Sequence, residues 1–294
     1  MIKNQTKIAI IGFGEAGAAL AAGFGDGILT KSDITAYDIK CDDAATGKRE
    51  EMHAAGITPA ADTSTAIAHS QAIFSVVTAD QALDAATAVA ATIQPGALFF
   101  DCNSCAPSTK VKSAAVINAA GGRYIDVAIM APIHPRAHKT PMLVASEHGE
   151  DAITMMRDMD MDVTLVGDVV GRASTIKMLR SVMIKGIEAL SAECFRAACR
   201  AGVDEDVAAS LNATQSQEGW AEQAAYNLER MTTHGIRRAA EMREVAKTLD
   251  DLGVSNAMTM GTIDWQDKFG ALGVALDDVD GLQDRIAIIE QTTK

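Results

Sequence analysis

Residues 7–38 read KIAIIGFGEAGAALAAGFGDGILTKSDITAYD, and few folds can accommodate that order of elements. Lys7–Ile11 is a short Ile-rich run suited to a strand buried on both faces. It leads directly into Gly12-Phe13-Gly14-Glu15-Ala16-Gly17 and then into an Ala-rich segment with the character of a helix. A second strand, Ile34–Tyr37, ends in Asp38, about 20 residues beyond the last glycine, which is the strand, turn, helix, strand and acid spacing of a dinucleotide site. In such a site Gly12 permits the tight turn, Gly14 lets a pyrophosphate approach the backbone, and Gly17 lets helix and strand pack closely. The helix N-terminus offers unpaired N–H groups and partial positive charge to the phosphates.

The expected cofactor-binding set is therefore Gly12, Phe13, Gly14, Glu15, Ala16 and Gly17, with Asp38 on the adenosine ribose hydroxyls. Thr78 follows the next strand and joins the set. A carboxylate at position 38 repels a 2′-phosphate, which favours NAD over NADP. Lys40 and Arg49 lie near enough in sequence to leave NADP open.

With 294 residues, 48% of them apolar, the chain can hold two domains and a large core. Its formal charge of −13 and lack of a basic run argue against nucleic acid, whose phosphates need clustered Lys and Arg. No apolar stretch has the length of a membrane span, and no signal peptide is visible, so cytoplasm is the expected location. The five cysteines are odd in number, which argues against a disulfide framework. Cys102-x-x-Cys105 has the spacing of a redox or metal pair but no second pair or nearby His to support it. Free thiols are the reading, and no metal site is expected.

Past Asp38 the pattern alternates. Helices are expected at Ala44–Ala55, Ala79–Ile93 and Pro107–Ala120. Strands are expected at Ala72–Val77, Ala97–Asp101, Tyr124–Val127, Met142–Ala145 and Val163–Val166. This predicts an α/β fold with a doubly wound parallel sheet covered on both faces. From Val169 onward no clear strand remains, and Ala/Leu/Met-rich stretches break near Gly202, Gly219, Gly235 and Gly253. The expected organisation is a Rossmann dinucleotide-binding domain over 1–168 and an all-helical substrate and dimerisation domain over 169–294.

Ligands of such sheets bind beyond the C-terminal strand ends, where Asp101-Cys102-Asn103-Ser104 and the segment Ala131–Lys139 fall. In the latter, His134 and Arg136 could hold a substrate anion; a solvated, proline-stiffened loop is the alternative. On the helix beginning near Arg172, at about 100° per residue, Lys177, Arg180, Ser181, Lys185 and Glu188 share one side. Leu179, Val182, Met183 and Leu190 share the other. Such a polar stripe is either a wet face or a wall of the cofactor cleft. Further on, Arg237 and Arg238 precede Glu241, Arg243 and Glu244, which favours a salt-bridged surface helix over a substrate role for Arg238.

Gly12-x-Gly14-x-x-Gly17, Asp101-Cys102-Asn103-Ser104 and Lys177 on the first helix of a helical domain together resemble the β-hydroxyacid dehydrogenases, relatives of 3-hydroxyisobutyrate and 6-phosphogluconate dehydrogenases. The resemblance covers nearly the whole chain and implies Lys177 as the catalytic lysine, with Asn103 and Ser104 holding substrate. The chain departs from that family at three places. Ser181 stands where Asn is usual, Arg180 stands where Asn or His is usual, and Asp126-Val127-Ala128-Ile129-Met130-Ala131-Pro132 replaces a Gly-rich substrate loop.

What the resemblance implies is hydride transfer between NAD(P) and a β-hydroxy acid or related compound, with Lys177 as general acid/base. Ser181 and Asn103 would orient the substrate oxygens, and Arg180 or the His134–Lys139 loop would supply anion-binding charge. The expected partner is a small anionic molecule, and relatives pair through the helical domain, implying a homodimer. Oxidative decarboxylation, with Glu188 as the acid, imine reduction and a non-catalytic NAD-binding role stand as alternatives.

Overall fold

The computed structural model describes residues 6–25, 29–214, 219–253 and 255–293. They divide into two compact units that meet in sequence between Lys177 and Met178. The N-terminal unit runs, in chain order, β1 (Ile8–Ile11), α1 (Glu15–Gly25), β2 (Ile34–Tyr37), α2 (Lys48–Ala54), β3 (Thr58–Pro59) and α3 (Thr63–Ile67). It continues through β4 (Ala72–Ser75), α4 (Ala82–Ala90), β5 (Leu98–Asp101), α5 (Pro107–Ala119), β6 (Arg123–Ile129), β7 (Met142–Ala145), α6 (Gly149–Asp158) and β8 (Val163–Gly167). The helix α7 (Arg172–Ala201) follows.

The eight strands form one sheet in the order β3-β2-β1-β4-β5-β6-β7-β8. The strands β1 to β6 pair in parallel. Strand order reverses between β1 and β4, and that switch point is where an open parallel sheet receives ligands. An all-parallel sheet is the sequence expectation, and the sheet departs from it at one place. β6 and β7 pair antiparallel, Asp126 opposite Ala145, because the short loop 130–141 contains no crossover helix with which to return the chain to the starting edge.

Alternation along the strands fills two cores. Ile8, Ile10, Phe74, Leu98, Phe100 and Val127 face one cluster with Leu20 and Phe24 of α1 and Met156 of α6. Ala9, Ile11, Ile73, Phe99 and Tyr124 face the other, with Val89 of α4 and Ile117 of α5. A period of two on strands apolar at every position demands helices on both faces. The helix expected over 44–55 begins only at Lys48, because Gly47 adopts φ +65° and interrupts the run. The short elements β3 and α3 span too few residues to be seen as periodic segments, and α6, whose Ala152, Ile153 and Met156 are buried at helical spacing, is not among the expected helices.

The second unit comprises the rest of α7 with α8 (Asp204–Thr214), α9 (Trp220–Asp251), α10 (Ala257–Gly270) and α11 (Leu282–Thr292). Gly235, expected to break a helix, lies inside α9. A Cβ there would fall 2.3 Å from the Gln266 carbonyl oxygen and 2.7 Å from the Gly270 nitrogen. The glycine therefore serves backbone-to-backbone packing of α9 on α10 rather than termination. No helix among the described residues is long and apolar enough to cross a membrane.

Candidate active site

The glycine turn lies at the C-terminal edge of β1. Gly12 has φ +94°, a conformation costly for any residue with a Cβ, and a Cβ there would approach the Val76 carbonyl oxygen to 2.8 Å. Gly17 is buried, and its Cβ would lie 2.2 Å from the Gly12 carbonyl oxygen. A Cβ on Gly14 would meet nothing within 4 Å. The outward side of the turn is thus open at the position where a pyrophosphate needs approach to backbone, while its inner side is closed by contacts only glycine allows. Glu15 is exposed and Ala16 half-buried at the start of α1, and the Phe13 ring is fully buried.

Asp38 ties the turn to the end of β2: its carboxylate accepts from the Phe13 N–H at 2.7 Å and the Lys40 N–H at 2.9 Å. An ionised carboxylate has about four acceptor positions, so it retains capacity for ribose hydroxyls. These residues fit an adenine dinucleotide. Lys48 belongs to the same turn, with its ammonium 2.9 Å from the Phe13 carbonyl oxygen; nothing in the pattern of the sequence singles it out. Arg49 is occupied by the Cys41 carbonyl oxygen, 2.8 Å from its Nε. Thr78 is exposed just after β4, and its hydroxyl bonds the Asp80 carboxylate, whose pKa is held below its ordinary range by that bond.

From the turn a continuous path of contacts leads to Lys177. Val77, next to the Val76 carbonyl that closes on Gly12, donates its N–H to Asn103 Oδ1 at 2.7 Å. Asn103 Nδ2 donates to Ser75 Oγ at 2.9 Å, and the Asn103 N–H to Asp101 Oδ1 at 3.0 Å. The side chain of Asn103 thus clamps the loops after β4 and β5 together. Its neighbour Ser104 accepts a hydrogen bond at Oγ from Lys177 Nζ.

Beneath this pair lies a buried ionic network. Asp101 and Asp126 are register partners on β5 and β6, and both are fully buried. Lys110 of α5, equally buried, puts its ammonium 3.0 Å from Asp101 Oδ1 and 3.6 Å from Asp126 Oδ1. The Tyr124 hydroxyl donates to Asp101 Oδ2 at 2.6 Å. Asp126 receives the Gly171 and Ser174 N–H groups at 2.9 and 3.2 Å and the Ser174 hydroxyl at 2.6 Å. Burial alone depresses the Lys110 ammonium's pKa, but the facing carboxylates of Asp101 and Asp126, with Cys105, outweigh it and raise it. Burial, then Asp101, drives the Tyr124 hydroxyl well above its usual range. Lys110, Tyr124 and Ser174 are absent from the expected site. The available signal was an aspartate inside or closing each of two apolar strands, facing a lysine on the helix between them.

The remaining expected residues scatter. His134 and Arg136 are exposed on the loop before β7, whereas His138 is buried against the Phe24 ring at 5.8 Å. Cys102 and Cys105 are buried and in no disulfide, and burial pushes the Cys102 thiol up to about 12. Among the described residues no group of three His, Cys, Asp or Glu side chains could hold a metal ion.

Within the second unit, the polar stripe of α7 is not its wet face. Ser181, Lys185 and Glu188 are buried, and Arg180 is exposed. Lys185 pairs with Glu241 at 2.8 Å and lies 3.4 Å from Ser181 Oγ. Glu188 accepts from Arg238 at 2.5 Å and from Gln266 Nε2 at 3.0 Å. The expected surface position of Arg238 is therefore corrected: with 7% exposure it is an inner partner of α7, while Arg237 and Arg243 form the outer ion pairs. The apolar side of α7 is open instead, with Met183 64% and Leu190 53% exposed.

A doubly wound sheet with a glycine turn and acid at its switch point, followed by a helical unit, defines a two-domain dinucleotide-binding protein. Residues 7–147 match the NAD binding domain of 6-phosphogluconate dehydrogenase, and residues 198–269 match a domain of unknown function, DUF1932. The chain is 32% identical to a conserved hypothetical protein from Sinorhizobium meliloti 1021, covering 98% of this chain and 97% of that one, with a TM-score of 0.76. It is 25% identical to the conserved protein MTH1747, described as structurally similar to 3-hydroxyacid dehydrogenases, over 90% of this chain and 97% of that one, with a TM-score of 0.70. A 3-hydroxyisobutyrate dehydrogenase of Mycobacterium tuberculosis, solved with L-serine, shares the fold at 16% identity, 99% and 100% coverage and a TM-score of 0.74. The chain thus joins the NAD binding domain of 6-phosphogluconate dehydrogenase to a DUF1932 domain and shares the fold of the 3-hydroxyisobutyrate dehydrogenases, as a divergent relative of the β-hydroxyacid dehydrogenases.

Proposed function

We propose that this chain is an NAD(P)-dependent dehydrogenase or reductase of a β-hydroxy acid or a related hydroxy or carbonyl compound, with Lys177 as its general acid/base. The observation that supports this most directly is the Lys177–Ser104 hydrogen bond, joined through Asn103 and Val77 to the glycine turn. When bound, the nicotinamide supplies or accepts the hydride. Lys177 Nζ takes the substrate hydroxyl proton during oxidation and returns a proton to the carbonyl oxygen during reduction. Ser104 Oγ fixes the ammonium and offers a hydroxyl to the same oxygen. Asn103, whose amide is engaged at both ends, acts by holding the loop that carries Ser104. Ser181 is the expected partner for a second substrate oxygen. Arg180, His134 and Arg136 are exposed, and they are the residues proposed to meet an anionic group of the substrate. The Asp38 carboxylate supports NAD over NADP through repulsion of a 2′-phosphate.

Absorbance at 340 nm, with NAD and NADP against hydroxy acids from small aliphatic to aryl and phosphorylated, tests the reading. Turnover, faster with NAD, is expected. Silence across the panel, with NAD still binding by calorimetry, would replace it with a non-catalytic binding role. Oxidative decarboxylation needs an acid to protonate an enol, and both oxygens of Glu188 are engaged by Arg238 and Gln266, which disfavours it.

The exposed apolar side of α7, with Ile184 40%, Met183 64% and Leu190 53% accessible, supports a homodimer, since clustered exposed apolar side chains are a recurrent mark of an interface. Light scattering is expected to give twice the mass of one chain; a mass of 30.8 kDa would count against pairing. The odd number of cysteines, with Cys41, Cys102, Cys105 and Cys199 in no disulfide, supports a reducing compartment such as the cytoplasm.

A further inference from the structure

We infer that Lys110 is a positioning residue: its buried ammonium, held between Asp101 and Asp126, sets the hydrogen bond between Lys177 and Ser104. The two carboxylates stand side by side on adjacent strands, where two like charges out of water repel strongly. One buried ammonium bridging them makes the pairing tolerable, and no water-facing route exists, since Lys110, Asp101 and Asp126 all have no exposed surface.

Each carboxylate then serves one half of the Lys177–Ser104 pair. Asp101 receives the Asn103 N–H and so shapes the loop ending in Ser104. Asp126 receives two N–H groups and a hydroxyl at the start of α7, from Gly171 and Ser174. That places negative charge on the positive end of a helix and satisfies donors that have no partner within it. Lys177 follows Ser174 by about one turn, so the azimuth of its side chain is fixed by where Asp126 holds the first turn. Lys110 also bonds the Asp101 and Val127 carbonyl oxygens, fixing both strand ends to α5. Removing its charge leaves two unpaired carboxylates whose separation changes both the loop and the helix start.

This inference rests on the proposed role of Lys177 for its functional meaning, and the test separates the two. Trace acetic anhydride labels lysines at rates set by their surroundings, read by peptide mass spectrometry with exposed Lys40 and Lys268 as internal references. Ser104→Ala defines the rate at Lys177 without the Ser104 hydroxyl. Lys110→Met is expected to move the Lys177 rate in the same direction as Ser104→Ala. Ser174→Ala, which removes one hydroxyl and no charge, is expected to move it the same way by less, and it decides the matter if Lys110→Met does not fold. On a substrate found in the panel, Lys110→Met is expected to lower kcat by about 100-fold with KM and NAD affinity little changed. A Lys177 rate equal to wild type in folded Lys110→Met and in Ser174→Ala would overturn the inference, even with an active enzyme. A shifted Lys177 rate in a protein with no turnover would keep the positioning and remove the catalytic reading.

Discussion

Lys177→Ala is expected to lower kcat by about three orders of magnitude, within the range for losing a positioned acid/base, while NAD affinity stays within about twofold of wild type. The split is expected because the glycine turn is held by Asp38 and by contacts of Gly12 and Gly17, none of which involves Lys177. Lys177 instead bonds Ser104, in the loop after β5. Lys177→Arg should fail nearly as badly. A guanidinium stays protonated throughout the accessible pH range and cannot accept the hydroxyl proton. Stopped-flow measurement with the best panel substrate, paired with calorimetry of NAD binding, would read both quantities. Near-normal turnover in Lys177→Ala would remove the residue from the chemistry.

Arg238→Met should cost about 3–5 kcal/mol of stability, the range for breaking a buried ion pair by removing one partner. The side chains of Arg238 and Glu188 are 8% and 5% exposed and lie 2.5 Å apart, so the substitution strands a carboxylate with only Gln266 for support. In a thermal scan that corresponds to a fall of roughly 10 °C. The double variant Arg238→Met with Glu188→Leu should recover most of the loss, because a matched apolar pair removes both charges. A double variant no better than the single one would mean that the pair's cost lies in packing rather than charge.

The N-terminal half was the more legible in sequence, for a physical reason. Strands buried on both faces must be apolar at every position, so runs such as Ala72–Ser75 and Leu98–Asp101 stand out, and glycines with a steric duty, as at Gly12 and Gly17, fall at fixed offsets. Gly235 misled because a glycine inside a helix has the same appearance whether it ends the helix or brings a second backbone close. The stripe on α7 was ambiguous because polarity along a helix reports which side differs from the other and says nothing about which faces water. Lys185 and Glu188 are inside because Glu241, Arg238 and Gln266 come from segments remote in sequence. Lys110 was hidden for the same reason: its partners Asp101 and Asp126 meet it only once β5 and β6 pair. In sequence Asp126 opens the segment that replaces a Gly-rich substrate loop, whereas its bonds to Gly171 and Ser174 anchor a helix.

Asp38 has one further consequence, for anyone wishing to redesign cofactor preference. The carboxylate proposed to discriminate between ribose and its 2′-phosphate also accepts the Phe13 and Lys40 N–H groups, so the proposed selectivity and the loop architecture would share one side chain. Exchanging it for a neutral residue would relax the turn at the same moment as it relaxed the discrimination. Re-engineering toward NADP is better begun at exposed Lys40, leaving the acid in place and adding a basic neighbour beside it.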